Sequence, residues 1–295
     1  MEVSNIFKCT ANEVDIIPDS ILEELNISYE EANNDAYNMA ILSKALKEHN
    51  GKEYCRLPFC HTVEAEAFGS IVIFNQRVGN RIGKYLTHEI NSIEDISRMD
   101  LSKGRISKVL KAVRILKESG EIVILDVTGA ISIATSIMDS KLFYRAIRKD
   151  REKVNKLFDI IEESIVEFIL EGVKQGVDII SFADPTGTID IVGPKIYEEI
   201  SGKSTYRILK SIENKLNDAI IHICGKTSTS LESIGLLDSE KINVDGKNYF
   251  EMIENIRKER NDIKFIGHWC LKLDKLNNVL IAMVIKCEKG LKKYL

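Results

Sequence analysis

The stretch Val177-Asp178-Ile179-Ile180-Ser181-Phe182-Ala183 decides the fold class. It is apolar rather than alternating, which predicts a β-strand that is covered on both faces. Residues 151–175 come directly before it and carry apolar side chains at helical spacing, which predicts an amphipathic helix. A helix that leads into a buried strand is typical of α/β proteins with a parallel sheet.

The same alternation continues on both sides of this stretch. Further strands are predicted over residues 54–59, 70–74, 121–127, 218–221, 241–245 and 263–267. Further helices are predicted in the segment 12–50 and over residues 63–68, 106–119, 130–138, 206–216, 249–259 and 276–286, with another that starts at Pro194 and a loop over 225–230. No repeat or linker interrupts the pattern, so we predict a single domain over residues 1–295.

Polar side chains follow most of the predicted strands, as they would around the mouth of a barrel. An open sheet would instead concentrate its site at one switch point. The polar positions are Thr62, residues 126–128, Asp184, His222 with Cys224, and His268 with Cys270. We therefore predict an α/β fold of the TIM (β/α)8-barrel type, with strands for seven of its eight strand–helix units and a helical N-terminal extension over residues 1–50.

The composition is that of an ordinary globular protein, with 29% charged and 44% hydrophobic residues. A net charge of −4 argues against a broad nucleic-acid-binding face. No apolar run is long enough to span a bilayer, and the first residues lack the pattern of a signal peptide. We therefore expect a cytoplasmic protein with neither nucleic acid nor membrane as a partner.

Six cysteines, too few and too scattered for a disulfide scaffold, lie at positions 9, 55, 60, 224, 270 and 287. In a reducing compartment such residues are metal ligands, nucleophiles or buried small apolar residues. For any one of them, burial is the commonest role.

The segment His222-Ile223-Cys224 places an imidazole and a thiol two residues apart, just after a predicted strand. Residues i and i+2 of a strand point to the same side, so both groups can reach one point beyond its end. Cys270 adds a second sulfur after the strand 263–267, and one nitrogen with two sulfurs suits zinc. The alternative interpretation is a buried cysteine beside a structural histidine.

Two further histidines compete for a place in such a site. His268 lies two residues before Cys270, so it could replace that cysteine or orient a ligand. His61 lies beside Cys60, although adjacent residues of a strand point apart. Trp269, between His268 and Cys270, is predicted to point away from the metal.

Two carboxylates are candidate catalytic residues. Asp184 follows a strand and precedes a proline, where an acidic group either serves the site or caps a helix. Glu64 lies in the first turn of a predicted helix, where the helix dipole favours a carboxylate whatever its role. Near a zinc ion, Glu64 could occupy the open coordination position when substrate is absent.

Several motifs resemble those of the cobalamin-dependent methyltransferases in the uroporphyrinogen decarboxylase superfamily, and they follow the family's order from about residue 18 onward. They are Leu57-Pro58-Phe59-Cys60-His61-Thr62-Val63-Glu64-Ala65-Glu66-Ala67-Phe68-Gly69, Val127-Thr128-Gly129-Ala130, Phe182-Ala183-Asp184-Pro185-Thr186, Gly193-Pro194-Lys195, His222-Ile223-Cys224-Gly225 and Gly267-His268-Trp269-Cys270 followed by Leu276-Asn277-Asn278-Val279-Leu280-Ile281-Ala282-Met283-Val284.

This resemblance implies a TIM barrel and a zinc ion bound by His222, Cys224 and Cys270. It implies transfer of a methyl group from a methylated corrinoid, carried on a separate protein, to a thiol such as coenzyme M. Zinc would hold the acceptor as a thiolate. Asp184 and Glu64 are the candidate catalytic residues, and Thr128 with Gly129 are the candidate cofactor-binding positions.

Two departures from the family pattern qualify these expectations. The interval from Cys224 to Cys270 is shorter, as if one strand–helix unit were missing. The arginine-rich motif of the decarboxylase branch is absent, since Arg56 stands alone among residues 20–60, which argues against uroporphyrinogen decarboxylation. The alternatives are methyl transfer to tetrahydrofolate and a non-catalytic barrel that binds zinc or a corrinoid.

Overall fold

The computed structural model describes Phe7, residues 16–272 and residues 278–286. A 3₁₀ helix spans Ile90–Asp95 and a π-helical turn spans Tyr197–Ser201. The α-helices in these ranges are α1 (Asp19–Leu25), α2 (Tyr29–Asn34), α3 (Ala36–His49), α4 (Val63–Phe68), α5 (Gly104–Glu118), α6 (Ala130–Ile137), α7 (Ser140–Lys149), α8 (Arg151–Lys174), α9 (Ile189–Val192), α10 (Pro194–Ile196), α11 (Gly202–Ile212), α12 (Gly225–Ser233) and α13 (Tyr249–Glu259).

The strands in the described ranges are β1 (Cys55–Leu57), β2 (Ile71–Ile73), β3 (Arg81–Lys84), β4 (Val123–Thr128), β5 (Ile179–Ala183), β6 (Ile220–Ile223), β7 (Leu237–Asn243), β8 (Phe265–Ile266) and β9 (Val279–Ile285). Seven of them belong to the main, mostly parallel sheet. The other two, β2 and β3, pair with each other in a separate antiparallel hairpin. The predicted α/β class is confirmed.

The described residues form two compact units, which we call the N-terminal unit (residues 16–128 and 132–178) and the C-terminal unit (Phe7 and residues 129–131, 179–272 and 278–286). In the N-terminal unit, β1 and β4 pair in parallel with Cys55 beside Val123. Every residue of β4 is buried, which explains its continuous apolar sequence. The prediction of one domain over residues 1–295 stays a prediction.

In the C-terminal unit the strand order is β5-β6-β8-β9-β7. The first three strands run parallel, with His222 of β6 in register with Ile266 of β8. Strand β9 is antiparallel to both of its neighbours, β8 and β7. The carboxyl ends of β6 and β8 therefore lie at the same edge of the sheet.

Side-chain caps explain where several helices begin. Asp139 accepts hydrogen bonds from the first turn of α7, and Asp150 does the same for α8. Asn248 caps α13 through the backbone N–H of Glu251. The predicted bounds of α8 and α13 are close to those observed because these caps and the apolar spacing agree. None of the described helices is both long and apolar enough to cross a membrane.

The predicted loop over 225–230 is wrong, because these residues begin helix α12. The segment is rich in serine and threonine, which usually favours loops. In the structure their hydroxyls donate to carbonyl oxygens one turn earlier, as Thr229 Oγ1 does to Gly225 at 2.6 Å and Ser230 Oγ to Lys226 at 2.6 Å. The helix is buried, so these internal bonds satisfy groups that water cannot reach.

The predicted helix over 276–286 is also wrong where the structure describes it, because Val279–Ile285 is strand β9. A short apolar run fits a buried strand and a buried helix equally well, and here it pairs with strands on both sides. The strand predicted over 70–74 is β2, which lies outside the main sheet. The gain of β9 and the loss of β2 leave the count of seven unchanged, while β9, which runs opposite to both of its neighbours, departs from an all-parallel sheet.

The helical N-terminal extension is confirmed for the described part of residues 1–50. Helices α1, α2 and α3 occupy it, and Ile17, Ile21, Leu22, Ala32 and Leu42 form a buried apolar cluster. Residues 1–6 and 8–15 lie outside the described residues, as do Cys9 and Cys287.

Candidate functional site

The three predicted zinc ligands lie at one edge of the C-terminal unit. His222 belongs to β6 and is 2% exposed, and Cys224 is the residue that precedes α12. Cys270 follows β8, and both cysteines are half-buried and outside any disulfide. Because β6 and β8 are parallel and in register, the segments that carry the two sulfurs leave the sheet at the same edge.

Close backbone packing joins these two segments. A β-carbon added to Gly225 would lie 2.9 Å from the carbonyl oxygen of His268 and 2.6 Å from the Phe7 ring. The backbone N–H of His268 donates to Ser228 Oγ at 2.8 Å. The first turn of α12 is thus fastened to the loop that leads to Cys270, and this position accepts only glycine.

The side chain of Tyr249, the first residue of α13, contacts His222 and lies in the neighbourhood of Cys224 and Cys270. Its ring meets the imidazole of His222 edge to face, with the centroids 5.6 Å apart. Burial raises the pKa of the Tyr249 hydroxyl, and the nearby thiol groups of Cys270 and Cys224 raise it further. The hydroxyl is buried and has no hydrogen-bond partner among the described residues. One phenol therefore lies against the imidazole and within electrostatic range of both sulfurs.

The donor types at this position fit zinc, since imidazole nitrogen and thiolate sulfur are its preferred protein ligands. Within the described ranges, however, no three His, Cys, Asp or Glu side chains are placed so that they could hold a metal ion together. Zinc at this position is therefore a proposal that rests on the kinds of donor and on their shared neighbour Tyr249.

His268 has a different partner in the structure. Its Nε2 lies 2.9 Å from Glu232 Oε2, and its backbone adopts a left-handed φ of 68°. Burial lowers the pKa of this imidazole, and the carboxylate of Glu232 partly offsets the effect. The contact with Glu232 orients His268, and the predicted part of His268 in the metal site stays a prediction.

Asp184 is almost completely buried and fixes the start of α6. Its Oδ2 accepts a hydrogen bond from the backbone N–H of Ile131 at 3.0 Å. A β-carbon on Gly129 would lie 2.3 Å from Asp184 Cβ, and one on Gly187 would lie 2.4 Å from Asp184 Oδ2. Asp184 therefore bonds to the first turn of α6, and its predicted catalytic role stays a prediction.

In the N-terminal unit, Glu64 of α4 is tied to the end of β4. Its Oε1 accepts a hydrogen bond from the backbone N–H of Thr128 at 2.7 Å, while Oε2 is buried with no partner among the described residues. Burial raises the pKa of Glu64, and the bond from Thr128 lowers it by a smaller amount. The structure therefore brings Glu64 and Thr128 together. Whether Thr128 and Gly129 bind a cofactor stays a prediction.

A buried arginine that the sequence analysis missed organises the motif around Glu64. Arg105 Nε donates to Glu66 Oε2 at 2.6 Å, Nη2 donates to Thr62 Oγ1 at 2.8 Å, and Nη1 donates to Cys60 Sγ at 3.1 Å. His61 is exposed. The position of Arg105 at the start of a helix does not indicate that its side chain is buried. In the same way, the position of Tyr249 at the start of α13 does not indicate that it contacts a candidate ligand.

Arg56 has its own carboxylate partner within the N-terminal unit. Its Nε and Nη2 donate to the two oxygens of Asp126 at 2.7 and 3.0 Å. This bidentate pair engages the fork of the guanidinium with a carboxylate of the chain itself.

A family model described as uroporphyrinogen decarboxylase (URO-D) matches residues 15–272. The methylcobamide:CoM methyltransferase MtbA of Methanosarcina acetivorans is 27% identical over 228 residues, which are 76% of this chain and 67% of that protein. The methylcobamide:CoM methyltransferase MtaA of Methanosarcina barkeri is 25% identical over 251 residues, which are 83% of this chain and 72% of that protein.

A solved methyltransferase from Methanosarcina mazei superimposes with a TM-score of 0.63 at 22% sequence identity. The match covers 75% of this chain and 65% of that structure, so the chain spans about two thirds of the length of the proteins it matches. At this identity the structural likeness shows the fold alone.

Proposed function

Since the chain belongs to the uroporphyrinogen decarboxylase family, we propose that it is a methyltransferase that moves a methyl group from a protein-bound corrinoid to a thiol. The fold of this family is a TIM barrel, so the predicted fold type is confirmed. The observation that carries the proposal is the family match over residues 15–272 together with relatives named as methylcobamide:CoM methyltransferases.

The arrangement at the edge of the C-terminal unit supports a thiol acceptor. His222, Cys224 and Cys270 would hold zinc, which when bound supplies the positive charge that keeps a coordinated thiol deprotonated. The contact of His222 with Tyr249 orients the imidazole, and the bond between Ser228 and His268 holds the two cysteine-bearing segments together. These contacts support the proposal because they fix the segments from which one nitrogen and two sulfurs would approach the ion.

The two carboxylates have separate proposed roles. Asp184 positions the start of α6 through Ile131, and we propose that its catalytic role is to hold this turn in place beside the substrate. Glu64 offers one buried oxygen without a partner among the described residues, which suits a carboxylate that holds an open coordination position at rest. Thr128, whose N–H binds Glu64, and Gly129 are proposed to line the place of the corrinoid.

We favour methyl transfer over decarboxylation although the family takes its name from a decarboxylase. The relatives named above are methylcobamide:CoM methyltransferases. Arg56, the arginine of residues 20–60, is engaged with Asp126 rather than presented to a carboxylate-rich substrate. The expected partners are therefore a corrinoid protein and a small thiol, with tetrahydrofolate as the alternative acceptor.

Zinc content and methyl transfer in cysteine variants test the proposal. We expect the purified protein to hold one zinc ion and to consume methylcobalamin when coenzyme M is present. The variants Cys224→Ala and Cys270→Ala should lose both zinc and transfer. Cys60→Ser, which alters a cysteine in the N-terminal unit, is the matched control and should keep both. Full zinc content and full transfer in the first two variants would overturn the zinc mechanism.

Separate assays with coenzyme M, homocysteine and tetrahydrofolate identify the acceptor. Consumption of methylcobalamin with either thiol supports the proposal, whereas consumption with tetrahydrofolate alone supports the alternative. Transfer at no more than the uncatalysed rate, despite bound zinc, would indicate a binding protein.

A further inference from the structure

The β2–β3 hairpin of the N-terminal unit presents apolar side chains to solvent. Ile71 is 56% exposed, Ile73 is 43% exposed, and Val78 in the connecting loop is 60% exposed. Ile71 and Ile73 lie two residues apart in one strand and so point to the same side. Branched apolar residues that are exposed together usually mark a surface that a partner covers.

Three cations lie beside these apolar residues. Arg81 pairs across the hairpin with Ile73, Lys84 pairs with Ile71, and Arg77 precedes Val78 in the loop. All three are exposed, and none has a carboxylate partner among the described residues. Residues 69–88 contain no aspartate or glutamate, although the whole chain has a net charge of −4. We call the six residues Ile71, Ile73, Arg77, Val78, Arg81 and Lys84 the hairpin surface.

Hydrogen bonds anchor the loop that connects the two strands of the hairpin, so the exposure of its apolar residues is part of the fold. Asn80 Oδ1 accepts hydrogen bonds from Tyr29 Oη at 3.0 Å and from the backbone N–H of Asn75 at 3.2 Å. Asn80 Nδ2 donates to Asn33 Oδ1 at 3.1 Å. Gln76 Nε2 donates to the carbonyl oxygen of Ile17 at 2.9 Å. A surface fixed in this way is pre-organised for binding.

The hairpin is also connected to the helix that carries Glu64. The Phe74 ring lies 5.1 Å from the guanidinium carbon of Arg105, and Arg105 binds Glu66 of α4. Gly69 and Ser70 alone separate α4 from β2 in the chain. The hairpin therefore lies beside the helix that carries Glu64, a proposed catalytic residue.

We propose that the hairpin surface is the docking site for the protein that carries the methylated corrinoid, and that this partner presents an acidic surface with an apolar centre. The inference rests on the proposed function, which requires such a partner. Three separated cations around an apolar centre fit a protein better than a nucleic acid, whose binding needs longer basic stripes. Opposite charges across the contact would speed association.

Two methyl donors, one free and one bound to a protein, distinguish an effect on docking from an effect on methyl transfer. The variants Ile71→Ser and Arg81→Glu are assayed with free methylcobalamin and with the methylated corrinoid protein purified from the source organism. We expect kcat/KM with the protein donor to fall about tenfold or more, as for a central interface residue. With free methylcobalamin it should stay unchanged. Added salt should weaken transfer from the protein donor to the parent chain more than to Arg81→Glu.

Matched controls are Lys111→Glu, an exposed cation on α5, and Val284→Ser, an exposed apolar residue on β9. Both should behave as the parent chain does with either donor. An equal loss with both donors, or no loss with the protein donor, would overturn the docking proposal.

A direct binding experiment tests the docking proposal separately from the proposed function. Sedimentation of the chain mixed with the corrinoid protein should show a complex that Ile71→Ser abolishes, even if no methyl transfer occurs and the proposed function fails. A shift of the chain alone from dimer to monomer in Ile71→Ser would show that a second copy occupies the surface. The docking proposal would also be refuted if the chain bound anionic vesicles or DNA but not the corrinoid protein, and if Arg81→Glu abolished that binding.

Discussion

Gly129 lies so close to Asp184 that a β-carbon at position 129 would be 2.3 Å from Asp184 Cβ. Gly187 approaches the same side chain from another segment. Asp184 is therefore enclosed, and its carboxylate can turn neither away from Ile131 nor toward solvent without displacing backbone. The glycine in the motif Val127-Thr128-Gly129-Ala130 is explained by this contact rather than by backbone flexibility.

Substitution of Gly129 by alanine should lower the free energy of unfolding by about 1–3 kcal/mol, because the methyl group overpacks the site. Urea unfolding followed by circular dichroism measures the effect. In an Asp184→Gly background the same substitution should cost much less, since the contact is gone. An equal cost in both backgrounds would show that the strain has another origin.

Replacement of Arg105 by methionine should destabilise the protein by about 3–5 kcal/mol, because it leaves buried polar partners of the guanidinium unpaired. The side chain of Arg105 is 1% exposed where it pairs with Glu66. Arg98, which pairs with Glu163 and Glu167 but is 54% exposed, is the matched control. Arg98→Met should cost less than about 1 kcal/mol. Equal losses in urea unfolding would contradict this assignment.

The Glu64→Gln variant should change how stability depends on pH. Burial raises the folded-state pKa of Glu64 above its ordinary value of 4.5, so folding favours the protonated form. The stability that the Glu64 carboxyl contributes is present below pH 4.5 and is lost as the pH rises through the higher folded-state pKa. The amide cannot ionise, so the variant should become more stable than the parent chain as the pH rises.

Chemical denaturation of the Glu64→Gln variant at a series of pH values tests this expectation. The exposed Glu24→Gln variant provides the comparison, and its offset from the parent chain should not grow with pH in the same way. A growing deficit of Glu64→Gln at high pH would instead show that the ionised carboxylate stabilises the fold.

Removal of the Tyr249 hydroxyl should separate folding from metal binding. Without metal, Tyr249→Phe should be as stable as the parent chain or more so by about 1 kcal/mol, because a buried hydroxyl without a partner disappears. Zinc affinity should fall about tenfold, because this hydroxyl, which has no partner among the described residues, would donate to a thiolate ligand once zinc is bound. Thermal unfolding and competition with a chelator measure the two effects. Tyr197→Phe removes another buried hydroxyl and should leave zinc affinity unchanged.

Continuous apolar runs made most of the fold predictable. Strands β4 and β5 and helices α8 and α13 lie within a few residues of their predicted positions, because their burial matches their pattern. Strand β9 and helix α12 were assigned to the wrong class for opposite reasons. The first is apolar enough to fit either structure, and the second satisfies its hydroxyl groups internally.

The candidate site was predictable only where the residue types themselves indicate a chemical role. The His222, Cys224 and Cys270 set stands out because nitrogen and sulfur donors are scarce, and the parallel register of β6 and β8 brings their segments to one edge. The surroundings were not predictable. Tyr249 and Arg105 act through burial and through contacts between distant segments, which spacing along the chain does not reveal.

The position of β9 between β8 and β7 has a consequence for synthesis. Strand β7 ends at Asn243, and β9, which is its partner in the described part of the chain, begins at Val279. Strand β7 therefore leaves the ribosome before β9 does, and until β9 follows, the open edge of β7 can capture other nascent chains. A pause in translation that keeps β9 inside the ribosome after β7 has emerged should therefore make this protein dependent on chaperones.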